Sequence, residues 1–287
     1  MMLGRSIARL LPVLALLFAA SRLPAQAPVA TPSPNLAGLA HVAIRVHDLD
    51  ASVAFYEKLG FVRAFALSRD GVVYEAFIKI NDRQFLELYP ATAKDPQIGF
   101  LHVCFEGNDL QSVHDYYVAH GLDPNAVRTA GAGNLLFTMP GPDTPTGPQN
   151  MEYTQYMPGS LHSKDFGQHL GADRISTQMI SVAIAFKVPP AASSFYLDKV
   201  GFVPYKPTAD IGLSSLYFLP GAPSESIRTE SPELGYKARI TLAADPATAA
   251  ATLKQRGIPF KTGSHYSSAD LTLTDPDGNE LLLHSPR

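Results

Sequence analysis

The sequence predicts an α+β fold of tandem βαβββ modules, paired into two cup-shaped domains. Three observations carry that expectation. The first is an internal repeat: HVAIRVHDLDASVAFYEKLGF from His41 recurs, weakened, as HVCFEGNDLQSVHDYYVAHGL from His102, SVAIAFKVPPAASSFYLDKVGF from Ser181 and RITLAADPATAAATLKQRGI from Arg239. Each copy is a strand-like run, a turn with Asp or Pro, a helix, then Gly before an apolar residue; the Gly suits the left-handed position that ends a helix. The second is spacing. The copies start 61, 79 and 58 residues apart, so the first pairs with the second and the third with the fourth. The third is the set of β-rich runs after the first helix, Val62–Ser68, Val72–Ile80 and Gln84–Tyr89, with turns at Arg69-Asp70-Gly71 and Asn81-Asp82. One such sheet under one helix leaves a face bare. Two side by side close into an eight-stranded cup, helices outside and side chains lining the inside.

In chain order, residues 1–27 read as a signal peptide. Arg5 and Arg9 precede an eleven-residue apolar run, Leu10 to Ala20, and Ala25-Gln26-Ala27 is a small-x-small cleavage site. That run is short of the roughly 20 residues a membrane helix needs. A Pro-rich linker follows at 28–37, then a first domain at 38–158, an interdomain segment at 159–175 and a second domain at 176–287. The expected protein is secreted or periplasmic, free of the membrane once the signal is cleaved, and a monomer or homodimer. A net charge of −3 gives no reason to expect nucleic acid as a partner. The single cysteine, Cys104, excludes an intramolecular disulfide and a cysteine-rich zinc site; it reads as a small buried side chain.

Strand residues alternate faces. Val42, Ile44 and Val46 form the stripe that packs under the helix, so His41, Ala43 and Arg45 face the cup; likewise His102, Cys104 and Glu106. The last strands, QFLELYP and QNMEYTQY, offer Glu87 and Glu152. Each module of the first pair thus supplies one histidine and one glutamate. Arg45 and Glu106 hold equivalent positions; pairing between them is the expectation, with Arg45 holding a substrate carboxylate as the alternative.

The run HVAIRVHDLDASVAFYEKLGF and the later DPDGNELLLH, Asp275 to His284, resemble the vicinal-oxygen-chelate (VOC) superfamily: glyoxalase I, extradiol dioxygenases, bleomycin- and fosfomycin-resistance proteins and methylmalonyl-CoA epimerase. The resemblance spans 38–158 and 176–287. It implies that His41, Glu87, His102 and Glu152 hold a divalent metal (Fe, Mn, Ni, Co or Zn), a Lewis acid for a small substrate with two neighbouring oxygens. Four protein ligands leave two open positions, which fits redox-neutral lyase or isomerase chemistry. Three would leave room for oxygen, and an Fe(II)-dependent dioxygenase is the alternative; a non-catalytic small-molecule-binding protein of the resistance type is another. The second pair departs from the pattern. Ser181 stands for His41, Arg239 for His102, Leu282 for Glu152, and Thr229 or Glu230 for Glu87, so that half is expected to bind no metal. Between the domains, Tyr156 to Gly171 reads as a surface linker. A sharper reading makes it a loop over the cup, with His162 or His169 as the acid/base residue. Gly131-Ala132-Gly133-Asn134 reads as a hairpin turn, and Pro140 to Gln149 as a rigid loop delivering Glu152.

Overall fold

The computed structural model describes residue 34, residues 36–204 and residues 215–285. The expected signal peptide lies outside the described residues. The first module runs β1 (Leu36–Val46), α1 (Leu49–Lys58), β2 (Val62–Arg69), β3 (Val72–Lys79) and β4 (Phe85–Pro90). The second runs β5 (Gly99–Gly107), α2 (Leu110–Ala119), β6 (Arg128–Thr129), β7 (Leu135–Thr144) and β8 (Gly147–Gln155). A short α3 (Leu161–Lys164) lies in the interdomain segment. The third module is β9 (Met179–Ala185), α4 (Pro189–Asp198), β10 (Val203–Pro204), β11 (Ser215–Leu219) and β12 (Ala222–Glu230). The fourth is β13 (Arg239–Ala243), α5 (Pro246–Gln255), β14 (Lys261–Thr262), β15 (Leu271–Thr274) and β16 (Glu280–His284).

Each module pair forms one eight-stranded sheet, ordered β2-β3-β4-β1-β5-β8-β7-β6 and β10-β11-β12-β9-β13-β16-β15-β14. The tandem βαβββ expectation is borne out. In each sheet the two first strands run antiparallel at the centre, and each pairs in parallel with its own module's last strand. Asp48, Asp109 and Asp245 cap α1, α2 and α5 by accepting hydrogen bonds from backbone N–H groups of the first turn. Gly60, Gly121, Gly201 and Gly257 follow the four long helices at positive φ, as the repeat predicts. Asp70 (φ 52°) and Gly71 (φ 79°) turn the β2–β3 hairpin in the left-handed region, which Asp-Gly favours.

Val42, Ile44, Val46, Val103, Phe105, Val182, Ile184, Ile240 and Leu242 are buried in one apolar core under the helices. Polar anchors join the two module pairs across it. The Tyr56 hydroxyl of α1 donates to Asp275 (3.1 Å) in the DPDGN turn, whose Asp275 also accepts from the Asn279 backbone and side chain. The Tyr196 hydroxyl of α4 donates to Gln149 (2.9 Å). DPDGNELLLH thus serves as a joint between halves. No helix among the described residues is long and apolar enough to cross a membrane.

Two expectations are corrected here. Pro140 to Gln149 is not a rigid loop but the tip of the β7–β8 hairpin, with Pro140 opposite Asn150 and an irregularity before Asp143. β6 pairs with β7 only at Leu135 and Leu136, so Pro140 sits where the strand has an open edge and a missing N–H costs no ladder bond. Arg45 and Glu106 do not pair. Because β1 and β5 are antiparallel, Arg45 lies opposite Gly99 and Glu106 opposite Gly38, at opposite ends of the ladder. Glu106 is bound instead by Arg83 (2.7 Å), and Arg45 lies 3.8 Å from Asp95.

Candidate metal centre

The four central strands of the first sheet bring His41, Glu87, His102 and Glu152 together. Strand alternation sends all four into the cup, and the register does the rest: Ala43 lies beside both Glu87 and His102, and Cys104 beside both His41 and Glu152. His41 Nε2 is 3.1 Å from His102 Nε2 and 3.4 Å from Glu152 Oε1; His102 Nε2 is 3.8 Å from Glu152 Oε2. These separations can be set against metal–nitrogen bonds of 2.0–2.1 Å, which place cis ligands roughly 3.0 Å apart and tetrahedral ones roughly 3.4 Å apart. Two imidazoles and a carboxylate therefore stand close to ligand spacing, with a different Glu152 oxygen toward each ring. Glu87 is placed differently from the other three. Its Oε1 is 3.0 Å from His41 Nδ1, the ring nitrogen turned away from His102. It still falls in a group with His41 and His102 whose donor atoms lie within 4.8 Å of one another.

The electrostatics fit a cation. Burial holds His102 down to a pKa of about 4, against the pull of Glu152, so its ring is neutral near pH 7 and offers a lone pair. Burial works to raise Glu152, yet His102 and His41 outweigh it and bring it to about 2, so that carboxylate is ionised. Burial, then the neighbouring Glu75 and Glu152, push Glu87 well above the usual carboxylate range. Burial raises Glu75 as well. The Tyr89 hydroxyl sits between these two, 2.7 Å from Glu75 and 3.1 Å from Glu87. Cys104 is fully buried, and burial, Glu152 and Glu87 keep it protonated; its Sγ is within reach of His41 and Glu152.

Above these residues lies a cavity of about 220 Å³, lined by His41, Glu75, Glu87, Tyr89, Glu152 and His162 among others. Glu75 carries no signal of this role in its sequence neighbourhood. Tyr89 had one available signal: it follows Glu87 by two residues on the same strand face.

The interdomain segment is not a surface linker throughout. His162, on α3, is buried and packs edge-on against Phe65, Phe77 and Phe85 while stacking on Tyr156, with ring centroids 4.5–5.4 Å apart. The segment is pulled in by Lys79, whose fully buried ammonium donates to Asp165 Oδ2 (2.6 Å), Asp165 O (2.7 Å) and Gln168 O (2.7 Å). His169 is brought to Asp165 rather than to the cavity. Neither ring nitrogen of His162 has a hydrogen-bond partner among the described residues, and burial drives its pKa down to about 3. An unfolded histidine titrates near 6.5. As pH falls from about 6.5 toward 3, the unfolded chain gains a proton that the folded chain refuses, and stability is lost. Over that window His162→Phe should gain on the parent by on the order of 4 kcal/mol. Denaturation midpoints of the two proteins measured from pH 7.5 to 4 should converge or cross; parallel curves would contradict a buried neutral His162.

In the second sheet the four equivalent positions are Ser181, Arg228, Arg239 and Leu282. Ala183 lies opposite both Arg228 and Arg239, as Ala43 lies opposite Glu87 and His102, and Thr241 pairs with Leu282 as Cys104 does with Glu152. The counterpart of Glu87 is therefore Arg228, not Thr229 or Glu230: strand pairing defines it, and the sequence alignment slips by one. The groups of donor atoms close enough to hold a metal among the described residues lie in the first sheet.

Residues 38–151 match the family model of the Glyoxalase/Bleomycin resistance protein/Dioxygenase superfamily. No curated protein matches the chain in sequence. Among solved structures, the 2,3-dioxygenase LapB from Pseudomonas sp. KL28 is similar at a TM-score of 0.63 and 15% identity, covering 88% of this chain and 93% of its own. The Mn(II)-bound glyoxalase from Novosphingobium aromaticivorans gives 0.64 and 17%, covering 88% and 83%. An extradiol ring-cleaving dioxygenase from B. fuscum gives 0.59 and 16%, covering 90% and 74%. At such identities the likeness is one of fold. The first module pair thus matches the Glyoxalase/Bleomycin resistance protein/Dioxygenase superfamily in sequence, and the chain shares the paired βαβββ fold of these dioxygenase and glyoxalase structures.

Proposed function

We propose that the chain is a metal-dependent enzyme of redox-neutral type, a lyase or isomerase acting on a small substrate with two neighbouring oxygens. One observation carries the reading. Two imidazole nitrogens and the ionised Glu152 converge at ligand spacing, beside a buried carboxylate pair, Glu75 and Glu87, with raised pKa values. A divalent metal held by His41, His102 and Glu152, with Glu87 as the nearest further ligand, would supply Lewis acidity toward the two substrate oxygens. The protein supplies the rest. Glu87 lines the cavity where a substrate carbon would sit, and a divalent cation beside it would favour its ionised form, the one that can accept a proton. Tyr89 and Glu75 fix its orientation by hydrogen bonds. A cavity of about 220 Å³ is below the roughly 300–1,000 Å³ of drug-sized pockets, in keeping with a small substrate. The N-terminal signal-like segment supports action outside the cytoplasm; the mature chain is expected to begin near Pro28, and N-terminal sequencing of exported protein that returned Met1 would refute this.

A second reading, an Fe(II)-dependent dioxygenase, is favoured by one contact. Glu87 faces Nδ1 of His41 rather than the Nε2 side, which leaves a face of two histidines and one carboxylate of the kind that suits Fe(II) and oxygen. The two readings separate on Glu87. Under the redox-neutral reading, the parent protein should exchange solvent deuterium into the carbon beside a carbonyl on a panel of small 2-oxo and 2-hydroxy acids. Glu87→Gln should slow that exchange by about 10²-fold or more, the usual contribution of a general base. Fe(II)-loaded protein should consume no oxygen with catechols. Oxygen uptake that survives Glu87→Gln would overturn the redox-neutral reading.

A further inference from the structure

The second cup repeats the geometry of the first with its charge inverted. At the position of Glu87 stands Arg228, at that of His102 stands Arg239, and at that of His41 stands Ser181. The two arginines are in different states. Arg239 is fully engaged: its Nε donates to Glu280 (2.6 Å), and its Nη1 reaches the Tyr266 hydroxyl (3.4 Å) and lies 3.6 Å from Glu230. Tyr266 in turn donates to Glu230. Arg228 has no such set. It is only 8% exposed, its guanidinium carbon lies 3.7 Å from the centre of the Tyr266 ring, and its Nε and Nη1 have no hydrogen-bond partner among the described residues. The Ser181 hydroxyl, one strand over and 6% exposed, is likewise without a partner.

An arginine stays charged in proteins, and a buried charge with unmet N–H donors is strongly unfavourable unless something accepts from them. The Tyr266 ring offers a cation–π contact but no acceptor for the N–H groups, so Nε and Nη1 still call for one. A neighbouring hydroxyl adds a further donor. We propose that the second cup is a binding site for a small carboxylate anion, received by the edge of Arg228 and the hydroxyl of Ser181, and separate from the candidate metal centre. The charge count selects a monoanion. Arg239 is taken up by Glu280 and Glu230, which leaves Arg228 as the guanidinium open to a ligand, and the two carboxylates nearby would repel a second negative charge. A carboxylate is thereby favoured over a phosphate. The site does not depend on the reaction proposed for the first cup.

Calorimetric titration of the full mature chain with acetate, with chloride at equal ionic strength as reference and inorganic phosphate as a second arm, tests the assignment. Acetate should bind saturably and more tightly than phosphate. Arg228→Gln should weaken acetate at least about tenfold, as expected for loss of a charge-assisted hydrogen bond. Ser181→Ala, a smaller change that does not disturb the buried charge, should weaken it several-fold while metal content stays that of the parent. Absence of saturable acetate binding by the parent protein overturns the proposal. So does acetate binding that persists unchanged in both variants, which would place the anion at the metal centre. Tighter binding of phosphate than of acetate overturns the carboxylate assignment.

Discussion

His102→Ala should leave the chain folded and unable to retain a divalent metal, with activity falling with metal content. The loss should exceed the roughly 10–100-fold that removal of an outer-shell partner costs, because His102 contributes one of the two nitrogens that stand 3.1 Å apart at the floor of the cup. Taking it away leaves His41 and the carboxylates, a set with one imidazole and weaker preference for the later first-row metals. The matched control is Arg239→Ala, the equivalent position in the second sheet. It should leave metal content unchanged, since Arg239 is held by Glu230 and Glu280 in the other cup. Metal analysis after dialysis reads both variants; metal lost in Arg239→Ala, or kept in His102→Ala, would contradict the assignment.

The second large effect concerns stability. Lys79→Ala should destabilise the protein by about 3–5 kcal/mol, the cost typical of breaking a buried ion pair from one side. The Lys79 ammonium is fully buried and holds Asp165, the carbonyls of Asp165 and Gln168, and Asp82 at 2.6–2.8 Å. Its removal leaves the buried Asp165 carboxylate with His169 as its ion-pair partner among the described residues and releases the segment that carries His162 into the cavity wall. Lys79→Met combined with Asp165→Asn should recover a large part of the loss, because it removes the stranded charge while keeping volume. Urea denaturation midpoints give the comparison. A single variant within about 0.5 kcal/mol of the parent, the range of ordinary surface substitutions, would show that the network does not fasten the segment.

How much of this was legible in the sequence follows from which forces are local. The strand–turn–helix–Gly repeat reports its own fold, because capping aspartates, closing glycines and alternating valines act over a few residues. His41 and His102 open strands whose apolar alternation is unambiguous, so their direction into the cup could be read directly. Glu87 and Glu152 were legible as cup-facing carboxylates through the family resemblance. That Glu87 meets the Nδ1 side of His41 was not, since which imidazole nitrogen a carboxylate meets is decided by rotamers. The expected Arg45–Glu106 pair failed for a topological reason: equivalent positions in antiparallel strands diverge from the centre of the ladder. Tyr156 to Gly171 looked like a polar linker because its composition is polar. What buries its middle is Lys79, far away in sequence, together with three phenylalanines from other strands. Arg228 was missed because the alignment of the second half slips by one residue, which only strand pairing corrects.

The central claim is that one metal ion sits at the floor of the first cup. Crystals of Mn(II)- or Zn(II)-loaded protein, with diffraction collected on both sides of the metal's absorption edge, test it most directly. One anomalous peak per chain is expected within bonding distance of His41 Nε2, His102 Nε2 and a Glu152 oxygen, and none in the second cup. Stoichiometric metal with its peak elsewhere, or a peak between Ser181 and Arg239, would contradict it.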